Sequence, residues 1–309
     1  MVGGKWGFVV NLNSHQPPTT NQQAPVSYRT LISTDDLSSH RRDGWAIVDC
    51  RYDLQNESWG HDQYRAGHIP GAVCVSLGED MAAPRTGKNG RHPLPSVEAL
   101  AALFGRLGIS RDTQVIAYDQ DNGMYASRLW WSLRYLGHDA VAVLDGGWGK
   151  WAREGRQTSS GEEHRAPTTF AAHPRPEMRL SVEDVGARLA DPSMLLVDAR
   201  APERFEGRNE TIDRAAGHIP GAANHFFKAN LADDGTMLPT DRLRESLGGT
   251  LMGRRPTEVV MYCGSGVTAC QNLLAMEHAG LPGARLYVGS WSEWSADPSR
   301  PTEKGPSTR

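Results

Sequence analysis

The stretch "RAGHIPGA" at Arg65–Ala72 recurs later in the chain as "AAGHIPGA" at Ala215–Ala222. Apolar runs that resemble each other flank both copies in the same order. Such an ordered series of matches is improbable by chance, so the repeat predicts two homologous domains. The matching runs are "AIVDCR" (Ala46–Arg51) and "LLVDAR" (Leu195–Arg200) before the repeat, and "VIAYD" (Val115–Asp119) and "VVMYC" (Val259–Cys263) after it.

The domain boundaries follow from the outermost matching features. We predict domains over residues 27–155 and 178–296, each of which closes with spaced tryptophans. Residues 156–177 are polar and contain proline, as expected for a linker between domains. Residues 1–26 are rich in Asn, Gln, Thr and Pro and predict a disordered leader. The polar residues 297–309 predict a flexible, frayed tail.

Short β-branched runs alternate with helical patterns in both halves. In "SVEALAALFGRLG", for example, Ser96 is a candidate N-cap and apolar residues follow at helical spacing. This alternation predicts an α/β fold in which each domain has a mainly parallel sheet with helices on both faces. Ligands of such sheets bind beyond the carboxyl ends of the strands. Cys263 lies at such an end.

The composition of the 309-residue chain argues against several classes of partner. The net charge of −3 provides no basic field for nucleic acid or an acidic membrane. No apolar run approaches the roughly 18 residues of a membrane-spanning helix. The cysteines form no C-x-x-C pair, and four in this length are no disulfide framework. We therefore expect a cytoplasmic protein with no nucleic-acid or membrane partner, no metal and no cofactor.

The loop after Cys263 has the sequence "GSGVTA" (Gly264–Ala269), which formally matches the G-x-G-x-x-A fingerprint of dinucleotide sites. That fingerprint needs an acidic residue at the end of the next strand, but the run "ARLYV" (Ala284–Val288) is followed by glycine and serine. A cysteine-dependent phosphatase would need an arginine at position 269, where this chain has alanine. Both chemistries are therefore disfavoured.

The same loop suits an anionic sulfur on Cys263. A loop that closes onto a helix N-terminus turns backbone N–H groups toward one point, and glycines let the backbone curl around it. The alternative is a buried structural thiol. The first domain has Asp119 at the equivalent position, and a fixed carboxylate would fill and repel an anion site. We therefore predict a reactive Cys263 and a catalytically silent first domain.

The tandem "GHIPGA" motifs, the aspartate in place of cysteine in the first half and "CGSGVTAC" in the second together resemble the two-domain rhodanese superfamily. The loop is similar to that of its 3-mercaptopyruvate sulfurtransferases. The resemblance implies a sulfurtransferase in which Cys263 takes a sulfane sulfur from 3-mercaptopyruvate, a small-molecule donor, as a persulfide. It implies transfer to cyanide or to a thiol acceptor, such as thioredoxin or a low-molecular-weight thiol. It also implies an active site between the domains.

The resemblance further implies roles for individual residues. Arg204 matches the substrate-binding arginine of the family, and a guanidinium can pair with a carboxylate through two hydrogen bonds. Ser265 and His92 match two members of a proposed Ser-His-Asp relay. The loop residues expected to bind substrate are Gly264, Ser265, Gly266, Val267 and Thr268.

Several positions of the family pattern stay open in this chain. The second substrate arginine of the animal enzymes has no clear match, although Arg208 or Arg214 could substitute. The relay aspartate falls on Gly78, where Glu79 or Asp80 could stand in. Structural or packing roles are expected for Arg200, His68, His218 and Cys270, and Cys50 and Cys74 carry no signal beyond burial.

The choice of sulfur donor also depends on the loop. Thiosulfate is a compact dianion and benefits from cations beside the cysteine, whereas Gly264 and Ser265 are neutral. This favours 3-mercaptopyruvate. A thiosulfate sulfurtransferase that uses the same persulfide is the first alternative. A persulfide sensor or interaction module without turnover is the second.

Overall fold

A computed structural model describes residues 1–4 and 27–307, so most of the predicted leader lies outside the described residues. Strands and helices alternate along the first domain. Its elements are β1 (Leu31–Ile32), α1 (Thr34–His40), β2 (Ala46–Asp49), α2 (Trp59–Ala66), β3 (Ala72–Cys74), α3 (Val97–Arg106), β4 (Val115–Tyr118), α4 (Met124–Tyr135), β5 (Val141–Leu144) and α5 (Gly147–Arg153).

The second domain repeats this order of elements. They are β6 (Arg179–Leu180), α6 (Val182–Ala187), β7 (Leu195–Asp198), α7 (Pro202–Phe205), β8 (Ala223–Asn224), α8 (Thr240–Leu251), β9 (Val259–Tyr262), α9 (Thr268–His278), β10 (Arg285–Tyr287) and α10 (Ser290–Trp294). Short 3₁₀ turns lie at Pro176–Met178, Phe227–Asn230 and Pro256–Glu258.

Each domain has one five-stranded sheet in which the paired strands run parallel. The strand order is β1-β5-β4-β2-β3 in the first domain and β6-β10-β9-β7-β8 in the second, so both sheets have the same topology. The four-residue strands β2, β4, β5, β7 and β9 are buried along their whole length. Burial on both faces explains their unbroken apolar runs. These sheets confirm the predicted α/β fold.

One hydrophobic core is shared by the two domains. Ala46 and Val48 of β2 point into it, while Ile47 between them points into a separate core of the first domain. Helices α4 and α9 pack against each other within the shared core. This contact brings the start of α4 close to the loop that precedes α9, where the guanidinium of Arg128 donates to the carbonyl oxygen of Gly266 at 3.0 Å.

An arginine two residues after a central strand braces the repeated motif in each domain. The Nη2 atom of Arg200 donates to Asp198 at 2.6 Å and to the carbonyl oxygen of Gly217 at 2.7 Å. Arg51 makes the same pair of contacts in the first domain. These buried ion pairs fix the motif to the strand, which agrees with the structural role expected for Arg200.

The histidines of the two motifs serve the same kind of structural role. His68 and His218 are fully buried, and each Nδ1 atom lies within 2.9 Å of a backbone carbonyl oxygen. Each Nε2 atom faces a glutamate from the segment that follows its domain, Glu163 at 3.2 Å and Glu303 at 3.7 Å.

The prediction of a frayed tail from Asp297 is wrong for the described residues. Glu303 exchanges two backbone hydrogen bonds with His218, of 2.8 and 2.9 Å. The linker also packs onto its domain, because Ser159 exchanges two backbone bonds of 2.9 Å with His68. Main-chain pairing does not require apolar residues, so the polar composition of both segments concealed it.

Candidate active site

Cys263 follows the last residue of β9 and begins the loop that leads into α9. Its backbone is fixed on both sides. The N–H group donates to the Oγ atom of Ser290 at 3.1 Å, and the carbonyl oxygen accepts from the N–H group of Trp291 at 2.9 Å. The residue is 2% exposed. The nucleophile predicted from sequence therefore sits on a rigid support.

Two positions of the loop require glycine, because neighbouring atoms leave no space for a Cβ atom. Gly266 has a φ of +74°, and a Cβ atom there would lie 2.3 Å from the carbonyl oxygen of Val288. A Cβ atom on Gly264 would lie 2.8 Å from the Nη2 atom of Arg91. Any other residue would have to displace backbone at the first position or a cation at the second.

The predicted ring of amide donors does not close on the sulfur of Cys263. In the described part of the chain, no N–H group forms a hydrogen bond with this Sγ atom. Such a ring exists instead in the first domain. The carboxylate of Asp119 accepts from the N–H groups of Gly123 at 2.9 Å, Tyr125 at 2.8 Å and Ala126 at 3.2 Å.

The carboxylate of Asp119 occupies the anion site of the first domain, where burial opposes its ionised form. Desolvation raises its pKa to about 6, although the backbone N–H groups oppose this shift. The two loops also follow different paths. Positive φ falls on Gly123, four residues after Asp119, but on Gly266, three residues after Cys263. A site filled by its own carboxylate is consistent with the predicted catalytic silence of this domain.

A cavity of about 180 Å³ lies between the two domains and reaches Cys263. It is smaller than the roughly 300–1,000 Å³ of many ligand sites, so it suits a small substrate. The second domain contributes most of the predicted residues, namely Arg204, Gly264, Ser265, Val267 and Thr268, but not Gly266. The first domain contributes Leu54, Arg91, His92, Met124 and Tyr125.

Ser265 and His92 meet across the domain boundary. The Oγ atom of Ser265 lies 2.8 Å from the Nδ1 atom of His92. The imidazole is 2% exposed. Desolvation lowers the pKa of His92 to about 3, and the positive charges of Arg91 and Arg128 add to this effect. The ring is therefore neutral at physiological pH.

No carboxylate completes a relay behind His92. Its Nε2 atom is buried and has no hydrogen-bond partner within residues 27–307. Asp80 accepts a backbone N–H of its own turn at 3.0 Å, and the side chain of Glu79 is 70% exposed. Neither takes the third place of the predicted relay. Tyr52 lies edge-on to His92 instead, with ring centroids 6.4 Å apart.

Arg204 is held by two acidic residues at the edge of the cavity. It donates two hydrogen bonds to Glu210, of 2.9 and 3.1 Å, and one of 2.9 Å to Asp213. Burial opposes the ionised form of Glu210, but the hydrogen bonds from Arg204 lower its pKa overall. Burial raises the pKa of Asp213, although Arg91 and Arg204 oppose the shift.

Arg91 is a functional candidate that the sequence did not reveal. Its Nη1 atom donates to Asp213 at 2.5 Å, so the same carboxylate binds one arginine from each domain. Its position next to His92 in "GRHPLP" was the available signal. The two arginines suggested from sequence lie elsewhere, since Arg208 pairs with Glu206 and Arg214 is exposed.

Arg128 was also missed, because an arginine within a helix usually faces solvent. It is fully buried beneath the loop, and its guanidinium donates to the carbonyl oxygens of Gly266 at 3.0 Å and His92 at 3.4 Å. Desolvation lowers its pKa, and the sulfur atoms of Cys270 and Cys263 oppose this shift. The first domain thus contributes a positive charge beneath the loop that follows Cys263.

The other three cysteines do not line the cavity. All four cysteines are free, and burial raises the pKa of both Cys74 and Cys270 to about 12. Burial also raises the pKa of Cys50. High thiol pKa values are typical of packed, unreactive cysteines.

Residues 1–4 and 27–307 provide neither a metal site nor a membrane-spanning helix. They contain no group of three or more His, Cys, Asp or Glu residues that could hold a metal ion. None of their helices is both long and apolar enough to cross a bilayer.

The family model of the rhodanese-like domain matches the chain twice, at residues 33–154 and 181–297. The chain belongs to the rhodanese-like family. The two matches cover both halves of the internal repeat, one carrying Asp119 and the other Cys263. The family resemblance predicted from the motifs is therefore confirmed.

Individual rhodanese-like relatives are sulfurtransferases. A protein of Pseudomonas aeruginosa named "Probable 3-mercaptopyruvate sulfurtransferase" is 44% identical over 84% of this chain and 92% of its own length. The thiosulfate sulfurtransferase of Cricetulus griseus is 33% identical over 87% of this chain and 93% of its own. The solved 3-mercaptopyruvate sulfurtransferase from Leishmania major has a TM-score of 0.78 and 29% identity, over 86% of this chain and 74% of its own. These relatives confirm the predicted sulfurtransferase class.

Proposed function

We propose that this rhodanese-like chain takes sulfur from 3-mercaptopyruvate and carries it as a persulfide on Cys263. One observation carries the proposal. Cys263 shares a small interdomain cavity with two arginines and with the Ser265–His92 pair. A sulfur nucleophile, carboxylate-binding groups and a hydrogen-bond donor therefore surround the same space. The names of the relatives from Pseudomonas aeruginosa and Leishmania major support this donor.

In the proposed reaction the Cys263 thiolate attacks the sulfur of 3-mercaptopyruvate. A new S–S bond forms and the C–S bond breaks, so its electron pair remains on carbon as the enolate of pyruvate. The proton of the donor thiol moves to that carbon, which yields pyruvate and the Cys263 persulfide. An acceptor thiolate then attacks the outer sulfur, takes it as a new persulfide and restores the Cys263 thiolate.

The Asp119 site of the first domain is an analogue of the loop that would bind a sulfur anion on Cys263. The carboxylate oxygens of Asp119 lie two bonds from its Cβ atom, as the outer sulfur of a persulfide would on Cys263. Backbone N–H groups bind those oxygens at 2.8–3.2 Å. The persulfide would therefore extend one atom beyond the present Sγ atom, toward the space that an anion occupies in the homologous loop.

Ser265 would donate a hydrogen bond to the ketone oxygen as the enolate forms. The Nε2 atom of His92 is buried without a partner among the described residues. A buried N–H without an acceptor is rarer than an unused lone pair, which favours the tautomer with its proton on Nδ1. That proton is then donated to the Oγ atom of Ser265, so the hydroxyl proton is free to point at the donor. Charge that develops in the transition state is where such a donor contributes most.

The carboxylate of the donor would bind the arginines at the cavity edge. Arg204 Nη1 and Arg91 Nη2 form no hydrogen bond in the described part of the chain. Both atoms lie beside Gly264, within 3.7 Å of the position that a Cβ atom would take there. Thiosulfate remains the second candidate donor because the relative from Cricetulus griseus is a thiosulfate sulfurtransferase.

The proposed acceptor is a thiol, either thioredoxin or a low-molecular-weight thiol, and the proposed compartment is the cytoplasm. Thiols stay reduced there, which suits a persulfide on a free cysteine. Leu54 and Ile212 are 44% and 49% exposed and line the cavity from opposite domains. They would form an apolar rim around the outer sulfur as the acceptor approaches.

Intact mass after incubation with 3-mercaptopyruvate tests the proposal. We expect the mass of one added sulfur atom on the wild type and on Cys270→Ala, but none on Cys263→Ser. Steady release of pyruvate with a thiol acceptor separates an enzyme from a persulfide sensor. Added sulfur on Cys263→Ser would contradict the assigned nucleophile. A wild-type kcat/KM for thiosulfate that equals or exceeds that for 3-mercaptopyruvate would promote the second donor.

A further inference from the structure

Asp213 lies between two arginines that come from different domains. Its Oδ1 atom accepts from Arg91 at 2.5 Å, and its Oδ2 atom accepts from Arg204 at 2.9 Å. The carboxylate is 3% exposed, while the arginines are 18% and 20% exposed. The carboxylate is therefore buried, whereas both guanidinium groups are accessible from the cavity.

This group of three side chains borders the nucleophile. A Cβ atom on Gly264, the residue after Cys263, would lie 2.8 Å from Arg91 Nη2, 3.6 Å from Asp213 Oδ2 and 3.7 Å from Arg204 Nη1. One amino group of each arginine is engaged by Asp213, and the other faces the loop. Asp213 therefore fixes the relative position of the two amino groups that remain for a ligand.

The same contacts balance the charge of the site. Arg91, Arg204 and Arg200 contribute three positive charges, and their partners Asp213, Glu210 and Asp198 contribute three negative charges, so the sum is zero. His92 is neutral, and the loop after Cys263 has no charged side chain up to Ala269. The two arginines and their carboxylates therefore offer oriented hydrogen-bond donors with no net charge of their own, and Arg128 lies separately, beneath the loop.

We propose that Asp213 sets the preference for the sulfur donor by joining Arg91 and Arg204 into a charge-neutral clamp for one carboxylate. Such a clamp binds a monoanion through its two free amino groups. It provides no additional positive charge to compensate the second negative charge of a dianion. This inference deepens the proposed function and rests on it. It makes Asp213 a positioning residue, because its carboxylate contacts the arginines and not the reacting atoms.

The charge of Asp213 should act differently on the two donors. Removing one negative charge raises the electrostatic potential at the clamp. If the kcat/KM of a monoanion rises by a given factor, that of a dianion rises by the square of the factor, because its interaction energy is doubled. The ratio of thiosulfate to 3-mercaptopyruvate kcat/KM then rises by the factor itself. We expect at least tenfold for Asp213→Asn, equivalent to about 1.4 kcal/mol.

The test measures kcat/KM for both donors with one acceptor in a set of charge variants. Asp213→Asn should raise the thiosulfate ratio at least tenfold, and Arg91→Gln should lower it. The double variant Asp213→Asn/Arg91→Gln restores the charge sum and should return the ratio to within threefold of the wild type. Asp213→Glu keeps the charge and should do the same.

Further measurements distinguish an effect of charge on donor preference from an effect of the substitution on folding. Asp139→Asn is a matched control, because Asp139 also binds two arginines, Arg175 at 2.6 Å and Arg134 at 3.8 Å, but does not line the cavity. It should leave the ratio unchanged. In Asp213→Asn, KM for thiosulfate should fall and its kcat/KM should decrease more steeply with added NaCl. Equal losses of kcat for both donors would instead indicate a merely structural carboxylate.

A ratio for Asp213→Asn within threefold of the wild type, or a lower one, would overturn the inference. A double variant that stays at the ratio of Asp213→Asn would overturn it as well. The proposed function fails separately, if the wild type forms no persulfide on Cys263 from either donor. In that case the clamp is tested by calorimetric titration of Cys263→Ser with pyruvate and with sulfate. The added Asp213→Asn change should strengthen sulfate binding at least tenfold more than pyruvate binding.

Discussion

Replacing His92 by asparagine distinguishes a hydrogen-bond donor from a proton relay. An asparagine amide places an NH₂ group near the position of the imidazole Nδ1 atom, which lies 2.8 Å from Ser265 Oγ. It can donate to Ser265 but cannot take up a proton at neutral pH. We expect His92→Asn to keep kcat/KM with 3-mercaptopyruvate within about threefold of the wild type, less than the loss of one hydrogen bond. His92→Ala removes the donor and should be much slower.

The magnitudes follow from the burial of the imidazole. With a pKa of about 3, forming the imidazolium at pH 7 costs about 5 kcal/mol, since each pKa unit corresponds to about 1.4 kcal/mol. A relay through that cation would lose most of what general acid–base catalysis contributes, which is about 10²–10⁴-fold. A hydrogen bond to developing charge contributes about 1.5–3 kcal/mol, so His92→Ala should lower kcat/KM about ten- to a hundredfold.

The assay is steady-state pyruvate formation between pH 5 and 8 for the wild type and both variants. The losses should not depend on pH, because His92 stays neutral throughout this range. His278→Asn is the control, since His278 Nδ1 also bonds a hydroxyl of the other domain, Thr30 Oγ1 at 3.0 Å, outside the cavity. The reasoning is refuted if His92→Asn is as slow as His92→Ala, or if the wild type loses activity with an apparent pKa that the alanine variant lacks.

Two further predictions concern the loops. Between pH 3.8 and about 6 the native protein holds the Asp119 proton more tightly than the unfolded chain, so this contribution to the free energy of unfolding falls as pH rises. Asp119→Asn should remove about 1 kcal/mol of that fall between pH 5 and 7; an unchanged pH dependence of Tm would contradict this. Gly266→Ala should abolish turnover and lower Tm, whereas the unobstructed helical Gly248→Ala should do neither.

The sequence predicted the parts of the fold that depend on local pattern. The run predicted as a strand at Val259–Cys263 is a strand at Val259–Tyr262, and its burial on both faces produced the apolar signal. Ser96 caps α3 as predicted, since its Oγ atom accepts from the N–H group of Ala99 at 3.2 Å. Each of these features is determined by residues close in the chain, and for that reason a single sequence was enough.

The site was predictable only where a family motif marks it. Cys263 and Ser265 lie in the motif "CGSGVTAC", Arg204 matches the family's substrate-binding arginine, and all three line one cavity. Arg91 and Asp213 were missed, because their contact joins residues 122 positions apart in two domains. The predicted amide ring around Cys263 was also misplaced. Backbone donors need an anion to close around, and of the two equivalent loops only the one in the first domain contains a carboxylate, that of Asp119.

The first domain has Asp119 at the position equivalent to Cys263, yet it contributes side chains around Cys263. Arg128 is fully buried and donates to two carbonyl oxygens, and no carboxylate of the described chain forms an ion pair with it. An unpaired buried cation is expensive by several kcal/mol, so its retention needs a compensating gain. The hydrogen bonds to the carbonyl oxygens of Gly266 and His92 and the sulfur atoms of Cys270 and Cys263 favour the charged form of Arg128. A separated second domain would lose Arg91, His92 and Arg128 together.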